Sequence, residues 1–182
     1  METILEGLLS TARYVPSQHC DERPKETKID MIVVHNISLP PGEFGTGAVE
    51  AFFCGKLDFV AHPYYETISH LRVSSHLLIE RSGEIIQFVP FDKRAWHAGQ
   101  SFFQGKTQCN DFSIGIELEG TDELAYEKIQ YEKLAGVIHA LCKTYPAIHR
   151  DRIIGHSNIA PGRKTDPGEA FDWNYMHCLL EL

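Results

Sequence analysis

The residues best suited to chemistry fall in one short run, residues 153–168, IIGHSNIAPGRKTDPG. The apolar pair Ile153–Ile154 reads as a strand end, and His156, Lys164 and Asp166 follow on a polar loop rich in Pro and Gly. Imidazole and carboxylate are metal-ligand types, and a lysine ammonium is a cation that a hydrolytic site can use. Two ligands ten residues apart on one loop do not close a metal site alone. A third must come from elsewhere, and His35 at the end of MIVVHN is the candidate. Taken singly, each histidine also has an ordinary reading, because the chain carries ten of them.

The elements that must position these residues can be read from periodicity. Residues 29–35 are almost continuously apolar, which predicts a buried strand covered on both faces. Residues 113–119, SIGIELE, alternate, with Ile114, Ile116 and Leu118 on one face and Gly115, Glu117 and Glu119 on the other. Residues 74–80 and 84–89 flank Arg81-Ser82-Gly83 and predict a hairpin. Residues 127–145 carry Ile129, Leu134, Val137, Ile138 and Leu141 at helical spacing, and Pro146 ends the helix. Shorter helices are expected at 4–13, 48–56 and 172–182, coil at 16–28, and loops at 37–47, 57–70 and 91–112 that border the site. The order of elements predicts an α/β fold with a central mixed β-sheet flanked by helices.

Composition bounds the function. A length of 182 residues predicts one domain, residues 1–182, and 43% hydrophobic with 23% charged residues fits a soluble globular chain. No apolar run is long enough to span a membrane, and the N-terminus lacks the basic start of a signal peptide. A net charge of −8 argues against non-specific nucleic-acid binding, which needs a basic face. An anionic small substrate stays open, because a bound divalent ion can dominate the local field. The five cysteines are scattered without a CxxC, which points to free thiols in a reducing compartment, the cytoplasm. No feature indicates an obligate protein partner.

Four segments, VVHNISLPPGEFG, SSHLLIERSGEIIQFVPFDKRAWHAG, CNDFSIGIELEGTD and GHSNIAPGRKTDPG, resemble the zinc-dependent N-acetylmuramoyl-L-alanine amidases in composition and order. Within that group the likeness is strongest to the cytoplasmic AmpD type, which acts on 1,6-anhydro-muropeptides, and it covers residues 14–173. The resemblance implies Zn2+ held by His35, His156 and Asp166. Three protein ligands leave a fourth tetrahedral position open, as a catalytic zinc site requires. The resemblance gives Glu117 the acid/base role. Spacing alone does not separate it from Glu119 on the same strand face, and both could be a solvated face. It also gives Lys164 the task of stabilising an oxyanion.

Substrate contacts are expected from Asn36 beside His35, from Arg72 through a guanidinium–carboxylate fork, and from the flat ring of Trp96. His97, beside Trp96, is expected at the pocket wall or behind the ligands. Some relatives place Arg where this chain has Gln108, which weakens a second carboxylate clamp or moves it to Lys106. The expected reaction is hydrolysis of the amide between N-acetylmuramic acid and L-alanine in cell-wall recycling. The alternative is a non-catalytic peptidoglycan-fragment binder of the same broad fold. Such binders generally lack the full metal set, whereas His35, His156, Asp166, Glu117 and Lys164 are all present here. GQSFFQGKT misses the phosphate-loop spacing by one residue, and HExxH, GxSxG and the zinc deaminase pattern HxE with PCxxC are absent.

Overall fold

A computed structural model describes residues 2–180. Its centre is a six-stranded mixed sheet. Numbered along the chain, its strands are β1 (Arg13–Tyr14), β2 (Met31–Ile37), β3 (Leu77–Ile79), β4 (Ile85–Gln87), β5 (Ser113–Glu119) and β6 (Ile153–Gly155). The spatial order is β6-β2-β5-β3-β4-β1. β6, β2, β5 and β3 run parallel, and the β3–β4 hairpin supplies the antiparallel pair. The expected mixed sheet is therefore present, with helices on both of its faces.

Those helices are α1 (Ala48–Phe53), α2 (Pro63–Thr67), α3 (Lys128–Thr144), α4 (His156–Ile159) and α5 (Trp173–Leu180). Strand alternation decides what each face of the sheet meets. Ile32, Val34, Ile114, Ile116 and Leu118 pack with Leu134, Val137, Ile138 and Leu141 of α3 and Met176 of α5. Met31 and Val33 face the other way, toward Phe112 and Ile159. Leu78 and Ile86 meet Phe52 and Phe53 of α1. Full burial of one such aliphatic side chain is worth about 1.5–3 kcal/mol, so this two-sided packing fixes the register of the strands. Glu117 lies opposite His35 in that register, and Gly155 opposite Val34.

The helix expected at 127–145 forms over Lys128–Thr144. Gln130 secures its start: its Oε1 accepts from the Glu127 N–H at 3.0 Å, and its Nε2 donates to the carbonyls of Ile79 and Glu119. The C-terminal helix spans Trp173–Leu180, and residues 181–182 of that expectation lie outside the described residues.

The structure corrects the helix expected at residues 4–13: residues 4–9 form a small antiparallel hairpin, and Arg13 enters β1. Glu6 and Gly7 both take positive φ, the two-residue turn that twisted hairpins prefer. The Gly7 carbonyl accepts from Phe91 N–H and Gln87 Nε2, each at 2.9 Å, so tertiary partners override the helix-like apolar spacing. Three expected irregular segments also hold short elements. Cys20–Glu22 pairs with Lys93–Ala95, Phe102–Phe103 with Lys106–Thr107, and α2 forms within 57–70.

Candidate metal and catalytic site

The parallel strands β6, β2 and β5 end at the mouth of a cleft of about 680 Å³. In open α/β sheets this carboxyl edge is where ligands bind. His35 closes the buried part of β2, and His156 follows β6 directly as the first residue of α4. Asp166 returns from the loop after α4, and its carbonyl accepts from the Ser157 N–H at 3.0 Å.

Three donor atoms converge. His35 Nδ1 lies 3.0 Å from His156 Nδ1 and 2.9 Å from Asp166 Oδ2, and His156 Nδ1 lies 3.0 Å from that oxygen. Each imidazole turns Nδ1 inward and Nε2 outward, His35 toward His97 Nδ1 and His156 toward the Ala98 carbonyl. Two imidazole nitrogens and one carboxylate oxygen gathered within a few ångströms are a ligand set for a divalent ion. Burial and the neighbouring His156 depress the His35 pKa to about 4, against the pull of Asp166. Burial alone would raise the Asp166 carboxyl, but its hydrogen bonds to His156 and His35 win and hold it well below the usual carboxylate range.

Glu117 and Glu119 leave the same strand on the same side, and both are buried. Neither belongs to a solvated face, and their partners distinguish them. Glu119 accepts from the Gly45 N–H at 2.6 Å and the Arg81 N–H at 3.2 Å, tying two loops to the sheet. Glu117 lines the cleft, and its Oε2 is buried with no hydrogen-bond partner. Burial first and the Asp166 charge second push its pKa well above the ordinary value, while Lys164 opposes them. A perturbed carboxylate aimed into a cleft is the usual mark of proton-transfer work. Glu119→Ala should therefore cost about 1–3 kcal/mol of stability, the price of stranding two backbone donors. Denaturant melts should register that loss, and turnover per folded molecule should persist.

Lys164 is exposed, lines the same cleft, and makes no ion pair among the described residues. Asn36 also lines it, but its amide N–H groups are committed to Asp122 Oδ1 at 2.8 Å and the Pro167 carbonyl at 3.1 Å. Arg72 stands outside the lining, exposed, with Nη1 donating to the carbonyls of Ser69 and Leu71. Trp96 lies away from the lining too, donating from Nε1 to Asp21 at 3.1 Å and stacking on His19. Neither Gln108 nor Lys106 reaches the cleft, and Lys106 pairs with Asp30 at 3.3 Å. The far wall is apolar, built from Phe52, Tyr64, Ile68 and Leu71.

Several supporting residues were not singled out by type or spacing in the sequence. Arg23 is largely buried and donates to the carbonyls of Phe91, Asn110, Asp111 and Ser113, gripping both ends of the long loop. Burial lowers its pKa to about 10. Arg163 Nη2 braces the Ala98 and Gln100 carbonyls at 2.7 Å each. Two residues beyond Asp166 the loop packs on Asp122 through Gly168, whose φ is +82° and whose missing Cβ would fall 2.1 Å from the Asp122 Cα. Tyr126 Oη completes the hold by donating to the Pro167 carbonyl at 2.7 Å. Gly168→Ala meets both a forbidden φ and a backbone collision. It should destabilise the fold by more than about 1 kcal/mol and weaken metal retention, as melting and metal analysis would read.

Known proteins share this architecture and sequence. The pattern of the N-acetylmuramoyl-L-alanine amidase family matches residues 25–169. The 1,6-anhydro-N-acetylmuramyl-L-alanine amidase AmpD of Escherichia coli strain K12 is 60% identical over 175 residues, covering 96% of this chain and 95% of the relative. A crystal structure of a selenomethionine AmpD derivative superposes with a TM-score of 0.95 at 59% identity, covering 97% of this chain and 98% of that one. A complex of E. coli AmiD with anhydro-N-acetylmuramic acid-L-Ala-D-gamma-Glu-L-Lys superposes with a TM-score of 0.61 at 26% identity, covering 98% of this chain and 65% of that one. A match of this reach makes the chain a member of the N-acetylmuramoyl-L-alanine amidase family, of the AmpD type.

Proposed function

We propose that this amidase is zinc-dependent, with His35, His156 and Asp166 as the ligands, Glu117 as acid/base and Lys164 as the oxyanion partner. One observation carries the reading. An unpartnered, buried carboxylate oxygen of Glu117 faces the same cleft as the convergent His35, His156 and Asp166 donors. Zinc in that group would supply Lewis acidity, polarising the scissile carbonyl and making water deprotonation accessible near neutral pH.

The chain's own groups do the rest. Glu117 takes the proton of the attacking water as the new C–O bond forms. Lys164 Nζ donates to the oxygen that gains negative charge as the carbonyl carbon becomes tetrahedral. Glu117 then delivers its proton to the alanine nitrogen, so the C–N bond breaks with a neutral amine leaving. The raised affinity of Glu117 for a proton suits it to both halves of this cycle. The apolar wall of Phe52, Tyr64, Ile68 and Leu71 offers a face for the sugar or the peptide stem, and the cleft volume falls in the range that bound small molecules occupy.

The preferred substrate is the 1,6-anhydro-muropeptide, as the names of its relatives suggest. One zinc amidase domain spanning the chain would act in the cytoplasm, in cell-wall recycling. All five cysteines are free, and among the described residues no helix is long and apolar enough to cross a membrane, which fits that reading. The test is zinc-loaded protein incubated with an anhydro-muropeptide and, separately, with intact peptidoglycan, products read by mass. Release of the free anhydro-sugar and a peptide beginning with L-alanine, faster from the soluble fragment, is expected. Stoichiometric binding without product would favour the binder reading and overturn this one.

A further inference from the structure

Residues 97 and 98 touch both imidazoles of the cluster from behind. His97 Nδ1 lies 2.9 Å from His35 Nε2, and the Ala98 carbonyl oxygen lies 3.1 Å from His156 Nε2. We propose that the His97–Ala98 pair, pinned by Asn110 and seated on Gly115, accepts the Nε2–H of both imidazoles, so that each ring turns Nδ1 to a metal in the cleft. The inference rests on the reading that His35 and His156 hold a metal ion.

Proton counting from the outer end fixes the His35 side. The Cys109 carbonyl only accepts, so the single proton of Ser113 Oγ goes to it at 2.5 Å. Ser113 Oγ, 3.2 Å from His97 Nε2, must then accept from that nitrogen. A neutral ring carries one N–H, which leaves His97 Nδ1 with a lone pair facing His35. With a metal in the cluster, His35 keeps its single proton on Nε2, donates it to that lone pair and leaves Nδ1 to the ion; without one, the Asp166 carboxylate 2.9 Å from Nδ1 competes for the same proton. On the other side the Ala98 carbonyl likewise only accepts, so His156 with a metal on Nδ1 donates to it from Nε2 at 3.1 Å; in the absence of a metal, Arg163 Nη2, 3.5 Å from Nε2, and Asp166 Oδ2, 3.0 Å from Nδ1, favour the other tautomer. Both Nδ1 atoms face Asp166 Oδ2, where a metal would draw on all three.

Two features hold this pair of residues in place. Asn110 Oδ1 accepts from the His97 N–H at 3.1 Å and the Ala98 N–H at 2.8 Å, so one amide oxygen fixes the backbone that supplies both partners. Gly115 leaves the room that the His97 ring needs, since a Cβ there would stand 2.4 Å from the ring. Strand alternation gives no reason for a glycine in SIGIELE, and the imidazole packed on it does. Metal-binding histidines depend on such partners, whose loss typically weakens metal binding about 10–100-fold.

The test uses the full chain at pH 8, where imidazoles are neutral. Histidine side-chain ¹⁵N–¹H spectra of zinc-loaded protein report the ring protons, and competition with a chromogenic chelator reports zinc affinity. Wild type should show Nε2–H at both His35 and His156. H97F should lose the hydrogen-bonded Nε2–H signal of His35 and raise the zinc Kd about 10–100-fold. H97Q, whose amide offers one acceptor and a donor in its place, should recover most of that loss. N110A should disturb both imidazoles and weaken zinc, and it carries the test should H97F not fold. Wild-type ring-proton signals and wild-type zinc affinity in folded H97F or in N110A would overturn the inference. If wild type itself took up no zinc, the metal reading would fail and take this inference with it, whereas normal zinc uptake by wild type with undiminished affinity in the variants would overturn this inference alone.

Discussion

Glu117→Gln lowers kcat by about 10²–10⁴-fold while zinc content stays at the wild-type level. That range is what a positioned general acid–base contributes. The separation of the two readouts follows from geometry. Glu117 lies beside His35 in the strand register but is not one of the three converging donors, so removing its charge leaves them intact. Burial and the Asp166 charge both disfavour its ionised form, so the amide, similar in shape, relieves an electrostatic strain. The variant should fold at least as well as wild type, and a melting curve beside the steady-state assay would show it. Near-native turnover in a folded, zinc-replete Glu117→Gln protein would remove the residue from the reaction.

Asp166→Ala acts at the other end of the site, through metal retention and not through proton transfer. Its carboxylate supplies the only anionic donor of the cluster, and the two imidazoles that remain form an incomplete set. Loss of an outer partner alone costs about 10–100-fold in metal affinity, so loss of a direct ligand should exceed that. Activity should fall in step with zinc occupancy measured by elemental analysis. The Asp166 carbonyl still accepts from Ser157, which lets the loop keep its path and the variant fold. Full zinc content in the variant would take Asp166 off the ligand list.

The strands and the long helix were legible because periodicity is written in the sequence. Ile114, Ile116 and Leu118 point to the α3 face as their alternation requires, and Leu134, Val137, Ile138 and Leu141 meet them. His35, His156, Asp166, Glu117 and Lys164 do meet in one cleft. What stayed hidden depends on contacts between distant segments. The N-terminal residues carry helix-like apolar spacing, yet Gly7 bonds Gln87 and Phe91 across the fold. Arg23 sits in a charged, proline-bearing stretch that reads as coil, and only the folded chain shows it closing the 91–112 loop. Glu117 and Glu119 share one face in any strand reading, and only the hydrogen bonds to Gly45 and Arg81 show which of them is structural. His97 was expected near the site, and Gly115, a gap in a strand where a side chain would ordinarily pack, marks the place where its ring sits.

X-ray absorption at the zinc edge of the loaded protein bears most directly on the claim that two imidazoles and a carboxylate from distant parts of the chain grip one ion. The spectrum should show a shell of nitrogen and oxygen scatterers at about 2.0–2.2 Å with the outer features of imidazole. A sulfur shell at about 2.3 Å, placing the ion on one of the free cysteines, would contradict it.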